Sequence, residues 1–254
     1  MRTSTLMLVL LFAGITFGQG AMMDSTVTVT VTNTSSQVIS PPILVSHDGG
    51  FHFFTPGEAA TPELALLAED GDATELATIS RLADGVHAVT VADGPLVPGA
   101  SVTLEIAVSE AARYLSLAGM LITTNDAFFV WTGTVDAMTG EMMDGEMDGE
   151  MMDGDAMDGD AMDGDDMEMD AMMDDADAMK HAADGVARVY DAGTEANTES
   201  CAHIPGPPCG HALVRVTDGA EGVVSPHEGI LGIADLDPAI LGWTDPVVTV
   251  HVAH

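Results

Sequence analysis

Three segments of this chain hold oxygen-bearing side chains at spacings that suit chemistry. They are TTND at Thr123 to Asp126, YDAGTEAN at Tyr190 to Asn197, and the acidic loop around Asp70 and Asp72. In the first two, a carboxylate directly follows a predicted strand, where loops gather at the end of a sheet and oxygens from several of them converge. Calcium is the cation that such a place suits, because it takes six to eight oxygen ligands from carboxylates, carbonyls and water. Asp126, Asp191 and Glu195 would supply three anionic ligands, and Gly193 lets the backbone turn so that the carboxylates at i and i+4 face one another. The plain alternative is a set of solvated loop ends.

Other groups carry less. His47, His52 and His227 lie in loops containing Gly or Pro and would form a transition-metal site only if the fold gathered them. Ser46, His47 and Asp48 contain the residue types of a hydrolytic triad, but sequence neighbours cannot adopt triad geometry, and there is no G-x-S-x-G elbow. The run DGDAMDGDAMDGDD does not keep the EF-hand register, which needs a Glu at the twelfth position. Its methionines offer thioethers to Cu(I), without a nearby His or Cys to complete a site. Asn33-Thr34-Ser35 matches the glycosylation acceptor pattern.

The elements that must position these residues read as mainly β. Ser25 to Asn33, STVTVTVTN, alternates Val and Thr as a strand with one buried and one wet face does. Thr61-Pro62 opens a short helix with a Thr cap and Pro at the first helical position, ending at Asp70-Gly71-Asp72. A second helix runs from about Thr74 to Leu82. Further strands are expected at His87 to Ala92, Ser101 to Val108, Tyr114 to Thr123, Phe128 to Thr134, Val186 to Tyr190, Ala212 to Val216 and Val247 to Val252. Short strands at such spacing indicate an antiparallel β-sandwich with two short helices in one connection.

Residues 1–21 have the layout of a secretory signal peptide: Arg2, an apolar run from Leu6 to Phe17, and small residues around Gly18 and Ala21. That run is short for a membrane span, so no stable span is expected once it is removed. Residues 136–180 are almost entirely Met, Asp, Gly, Glu and Ala, and their dense like charge opposes collapse. They read as a long disordered acidic insertion between the two parts of one domain, 22–135 and 181–254. Loop closure cost grows only logarithmically with length, so a sandwich tolerates such an insertion.

The formal net charge of -35, with six Lys plus Arg, excludes nucleic acid as a partner and repels anionic membranes. Cys201 and Cys209 bracket CAHIPGPPC, and in an exported chain they are expected to pair.

The runs SPPILVSHDGGFHFFTPGEAATPELALLAEDGD, DGPLVPGASVTLEI, LSLAGMLITTNDAFF, YDAGTEANTESCAHIPGPPCG and GILGIADLDPAILGWTDPVVTVHV resemble the spondin N-terminal domain family in its bacterial form. The resemblance covers nearly everything except the leader and the acidic insertion, and DAGTE, which is similar to the family's DAGTD, is its most specific piece. It implies a calcium-binding antiparallel β-sandwich whose metal ligands fall on Asp126, Asp191 and Glu195. Here the third ligand is Glu where the family has Asp, one methylene shorter. The expected function is that of a secreted or periplasmic, non-enzymatic calcium module for extracellular binding or adhesion, with an unknown protein or glycan ligand. The alternative is an acidic cation-buffering or surface-coating protein that works through its Met/Asp/Gly tract.

Overall fold

The computed structural model describes residues 24–135, 185–211, 213–243 and 246–253. The expected leader, 1–21, and the whole of the acidic insertion, 136–180, lie outside the described residues.

The first strand, β1 (Ser25–Asn33), sets the architecture. Val27, Val29 and Val31 are fully buried, while the intervening Thr side chains stay on the wet face, as a two-residue period requires. β1 pairs antiparallel with β4 (Ser101–Val108) on one side and with β10 (Val248–Ala253) on the other. On the outer face Thr30 and Thr32 bond the hydroxyls of Thr103 and Ser101 across the β4 ladder, at 3.1 and 2.8 Å. With β7 (Gly185–Val186) these strands form a four-stranded sheet in the order β4-β1-β10-β7.

The second sheet has six strands in the order β3-β2-β5-β6-β8-β9. They are β2 (Ile43–His47), β3 (Val86–Val91), β5 (Tyr114–Met120), β6 (Ala127–Thr134), β8 (Arg188–Asp191) and β9 (Ser225–Pro226). All the pairings are antiparallel. The fold is thus the expected antiparallel β-sandwich. Val29, Leu104, Ile106, Leu117, Phe129, Trp131 and Val250 interlock between its layers.

The far face of the larger sheet is buried as well. Helices α1 (Pro62–Asp70) and α2 (Thr74–Ser80) place Leu64, Leu67 and Leu76 on Ile43, Val45, Phe128 and Val130. This is why β2 is buried at every position, with Ile43 to Val45 apolar without alternation and Ser46 and His47 buried through hydrogen bonds to Ala107 O and Ser116 Oγ. The α1 boundaries follow from the sequence as expected. Thr61 Oγ1 accepts the N–H of Leu64 at 3.2 Å, Pro62 opens the helix, and Gly71 ends it at φ +70°, where a Cβ would lie 2.7 Å from Ser40 Cβ.

Four expectations about the elements are corrected. β5 ends at Met120 and not at Thr123, because Thr124 Oγ1 donates to Leu121 O at 2.7 Å and accepts from Ala127 N at 3.1 Å, closing a tight turn. Val186 to Tyr190 is two strands. The chain leaves β10 after Val186, Ala187 N still donates to Val248 O, and Arg188 onward joins β6 in the other sheet. Residues 213–216 are not a strand, because Arg215 is drawn to carboxylates and Val216 N–H is taken by Glu195 Oε1. A short helix, α3 (Pro238–Leu241), capped by Asp237, occurs where none was expected. Cys201 and Cys209 form the expected disulfide.

Candidate functional site

β6 begins at Ala127 opposite Asp191, the last residue of β8, so Asp126 and Asp191 meet at one end of the six-stranded sheet. Asp126 is fully buried. Its Oδ2 accepts three donors: Thr194 N at 2.7 Å, Thr194 Oγ1 at 3.1 Å and Glu195 N at 3.0 Å. Its Oδ1 is buried with no hydrogen-bond partner among the described residues. Burial, reinforced by the charge of Asp191 and offset by these hydrogen bonds, pushes the Asp126 carboxyl up to about 7. An acceptor oxygen in that position is relieved by a proton or by a cation.

Asp191 is 3 % exposed. Gly193 N donates to its Oδ1, Asn197 Nδ2 donates to its Oδ2, and burial holds the carboxyl above its usual range. The glycine between the two acids is required. Gly193 stands at φ +67°, and a Cβ there would lie 2.3 Å from the Val223 carbonyl oxygen.

Glu195 has different partners. It is 1 % exposed, its Oε1 accepts Val216 N at 3.3 Å and lies 3.7 Å from Arg215 Nε, and its Oε2 has no partner among the described residues. Burial raises its carboxyl to about 7, with Arg215 working in the opposite direction. The same guanidinium grips Glu69 and Asp70 at the end of α1. Of the three acids, Asp126 and Asp191 are close enough for the charge of one to raise the pKa of the other, while Glu195 Oε1 contacts Arg215 and its Oε2 has no partner among the described residues. Among the described residues no group of three or more His, Cys, Asp and Glu side chains is gathered as a metal cage.

The acidic loop of the helices is spoken for as well. Asp70 pairs with Arg215, and Asp72 Oδ1 accepts Thr74 N at 2.9 Å; hydrogen bonds from the Thr74 side chain, and then from its backbone N–H, hold the Asp72 carboxyl below the usual range. His47 ends β2 and His227 directly follows β9, four strands away in the sheet and about 19 Å at the usual strand spacing, so they do not meet. Within the Ser46-His47-Asp48 run, Ser46 Oγ donates to Ala107 O while His47 Nε2 bonds Ser116 Oγ at 2.9 Å, so the two do not form a pair. Asn33 is fully buried, its Nδ2 donating to Gln37 O and Leu96 O, so folding closes the glycosylation acceptor.

The loop 197–211 packs on TTND. Thr123 Oγ1 donates to Pro207 O at 2.9 Å, and a Cβ at Gly206 would lie 2.0 Å from Ile122 O. The disulfide between Cys201 and Cys209 closes this loop. Asn125 Oδ1 accepts Thr198 N at 3.1 Å and continues the seam.

What sequence reasoning missed is a cleft beside Asp191. It has a volume of ≈ 240 Å³ and is walled by Asn125, Asn197, the turn around His227 and the segment 228–231. The signal was present in the Gly/Pro-rich SPHEGILG, but nothing in that run says where it packs.

Comparison of the chain with protein-family models and with curated proteins finds no match in either. Among the described residues no helix is long and apolar enough to cross a membrane.

Proposed function

We propose that this protein is an exported, non-enzymatic calcium-binding β-sandwich module, similar to the spondin N-terminal domain, that binds an extracellular ligand. The observation that carries the reading is the Asp126 carboxylate, fully buried with an unpartnered Oδ1 beside a second carboxylate of raised pKa. Two adjacent buried carboxyls, with no lysine or arginine against them among the described residues, favour a hard cation, and oxygen-only donors of this kind suit calcium. Asp126 and Asp191 would hold it. Bound calcium would supply the countercharge that lets both remain ionised, and would brace TTND against the DAGTE loop. Glu195 would take part through Oε2, the oxygen that has no partner among the described residues, while Oε1 stays near Arg215. The disulfide is compatible with an oxidising, extracellular setting.

Calorimetric titration of calcium into chelator-treated full-length protein tests the proposal, with Asp126→Asn, Asp191→Asn and Glu195→Gln alongside. One saturable site, abolished in the two Asp variants, is the expected result. A titration that shows only weak, multiple binding, unchanged by the three substitutions, would assign the cation to the acidic tract and sink the proposal.

A further inference from the structure

One guanidinium stands between helix α1 and the DAGTE loop. Arg215 Nε contacts Glu69 Oε2, its Nη2 bonds Asp70 Oδ2, and Nε lies 3.7 Å from Glu195 Oε1. A planar fork of N–H donors can serve carboxylates on two sides at once, which the compact ammonium of a lysine cannot match. The segment that carries Arg215 is itself tied to the loop. Ala196 N donates to Val216 O at 2.8 Å, and Val216 N donates to Glu195 Oε1 at 3.3 Å. Glu195 Oε1 is thus held by two neighbouring residues of one segment, while Oε2 is buried without a partner among the described residues.

The far end of this bridge rests on the sheet that bears the candidate site. Glu69 and Asp70 end α1, whose Leu64 and Leu67 pack in one cluster with Phe128 and Val130 of β6. Phe128 follows Asp126 by two residues. Asp126 Oδ2 in turn accepts the Glu195 backbone N–H at 3.0 Å. The contacts close a circuit that runs from Asp126 along β6 to α1, through Arg215 to the Glu195 side chain, and from Glu195 N–H back to Asp126. Glu195 is therefore fixed at both ends, so little rotamer freedom remains to be lost when a cation binds beside it.

We propose that Arg215 is a positioning residue for the candidate calcium site, fastening Glu195 to helix α1 and so holding the DAGTE loop against Asp126. The inference rests on the calcium reading and deepens it. Arg215 acts through Glu195 and not as a ligand, since a guanidinium has no lone pair to offer a cation. Charge by itself would work the other way. A positive group near the site repels calcium, so if Arg215 were only a charge its removal would tighten calcium binding. Glu69 and Asp70 already outweigh that charge, which leaves geometry as the contribution of Arg215. The two roles predict opposite signs.

The test is calorimetric titration of calcium into chelator-treated full-length protein, comparing the parent with Arg215→Gln, Arg215→Lys, Asp70→Asn and the double variant Arg215→Gln/Asp70→Asn. Thermal melts in EGTA establish that each variant is folded. Arg215→Gln should weaken the saturable site roughly tenfold, about the loss of one hydrogen bond to a charged group, without changing its stoichiometry. Arg215→Lys keeps the charge and loses the fork, and should still bind calcium more weakly than the parent. Asp70→Asn should weaken calcium in the parent and have no further effect in the Arg215→Gln background, the non-additivity expected of a single chain of contacts. If Arg215→Gln fails to fold, Arg215→Lys carries the test. Unchanged or tighter calcium binding in Arg215→Gln, parent-like affinity in Arg215→Lys, or additive effects in the double variant would overturn the proposal. A parent that binds one calcium with an affinity indifferent to Arg215 would sink the positioning role alone, whereas a parent with no saturable site would sink the calcium reading and this inference with it.

Discussion

Asp126 Oδ2 accepts the backbone N–H of Glu195 at 3.0 Å, so the carboxylate at the start of β6 holds in place the loop that carries the acids of DAGTE. The bond is made with Oδ2 alone, and the burden of burial falls on Oδ1.

Asp126→Asn therefore separates structure from metal binding. The amide keeps an acceptor oxygen for Thr194 and Glu195 and removes a charge that the fold raises to about 7. In EGTA at pH 8 the variant should match or exceed the parent in stability, by about 1 to 2 kcal/mol. In calcium the order should reverse. Thermal melts with and without chelator measure both.

The buried histidines give a pH dependence of fixed sign. His47 is 4 % exposed, and burial, with help from His52 and against Asp48, lowers its pKa to about 4. A histidine whose folded pKa is depressed binds more protons when unfolded, so its contribution is complete above about 6.5 and is lost as pH falls to about 4. The full effect is on the order of 3 kcal/mol for one such group. His47→Gln, which keeps a partner for Ser116, should flatten the fall in urea-unfolding stability between pH 6.5 and 4. A profile as steep as that of the parent would mean that His47 does not titrate in this range.

Gly193→Ala tests the turn in DAGTE. The added Cβ meets the Val223 carbonyl and the backbone is held at a positive φ, so stability should fall by more than about 2 kcal/mol. Denaturant midpoints at constant m-value check this, and the change should also weaken calcium binding, since the turn presents Asp191.

Replacing both Cys201 and Cys209 by Ser should cost roughly 2 to 3 kcal/mol by the chain-entropy estimate for a short loop. The loss should appear first in the loop that Thr123 anchors through Pro207, read as faster amide exchange there than in the β1 and β6 ladders.

Much of this architecture was legible because its signals are local. The alternation in STVTVTVTN, the Thr61-Pro62 opening and the Gly71 stop each depend on a few neighbouring residues, and each stands where the sequence placed it. The misreadings have a common cause. Residues 213–216 have strand-like composition, yet a salt bridge to Glu69 and Asp70, from a helix far away in sequence, outweighs that preference. The break at Ala187 comes from pairing with two different sheets, which no periodicity can announce.

The candidate site divides the same way. From residue types and local pattern alone, the sequence determined that this is a β-sandwich, that one cysteine pair closes a loop, and that the chain is strongly acidic. Tertiary structure alone decided which carboxylates meet. Strand register sets Asp126 beside Asp191, and an arginine twenty residues beyond Glu195 claims that side chain. Sequence spacing fixes how far apart two residues are along the chain. Which charges share a buried space is set by the long-range packing that removes them from water.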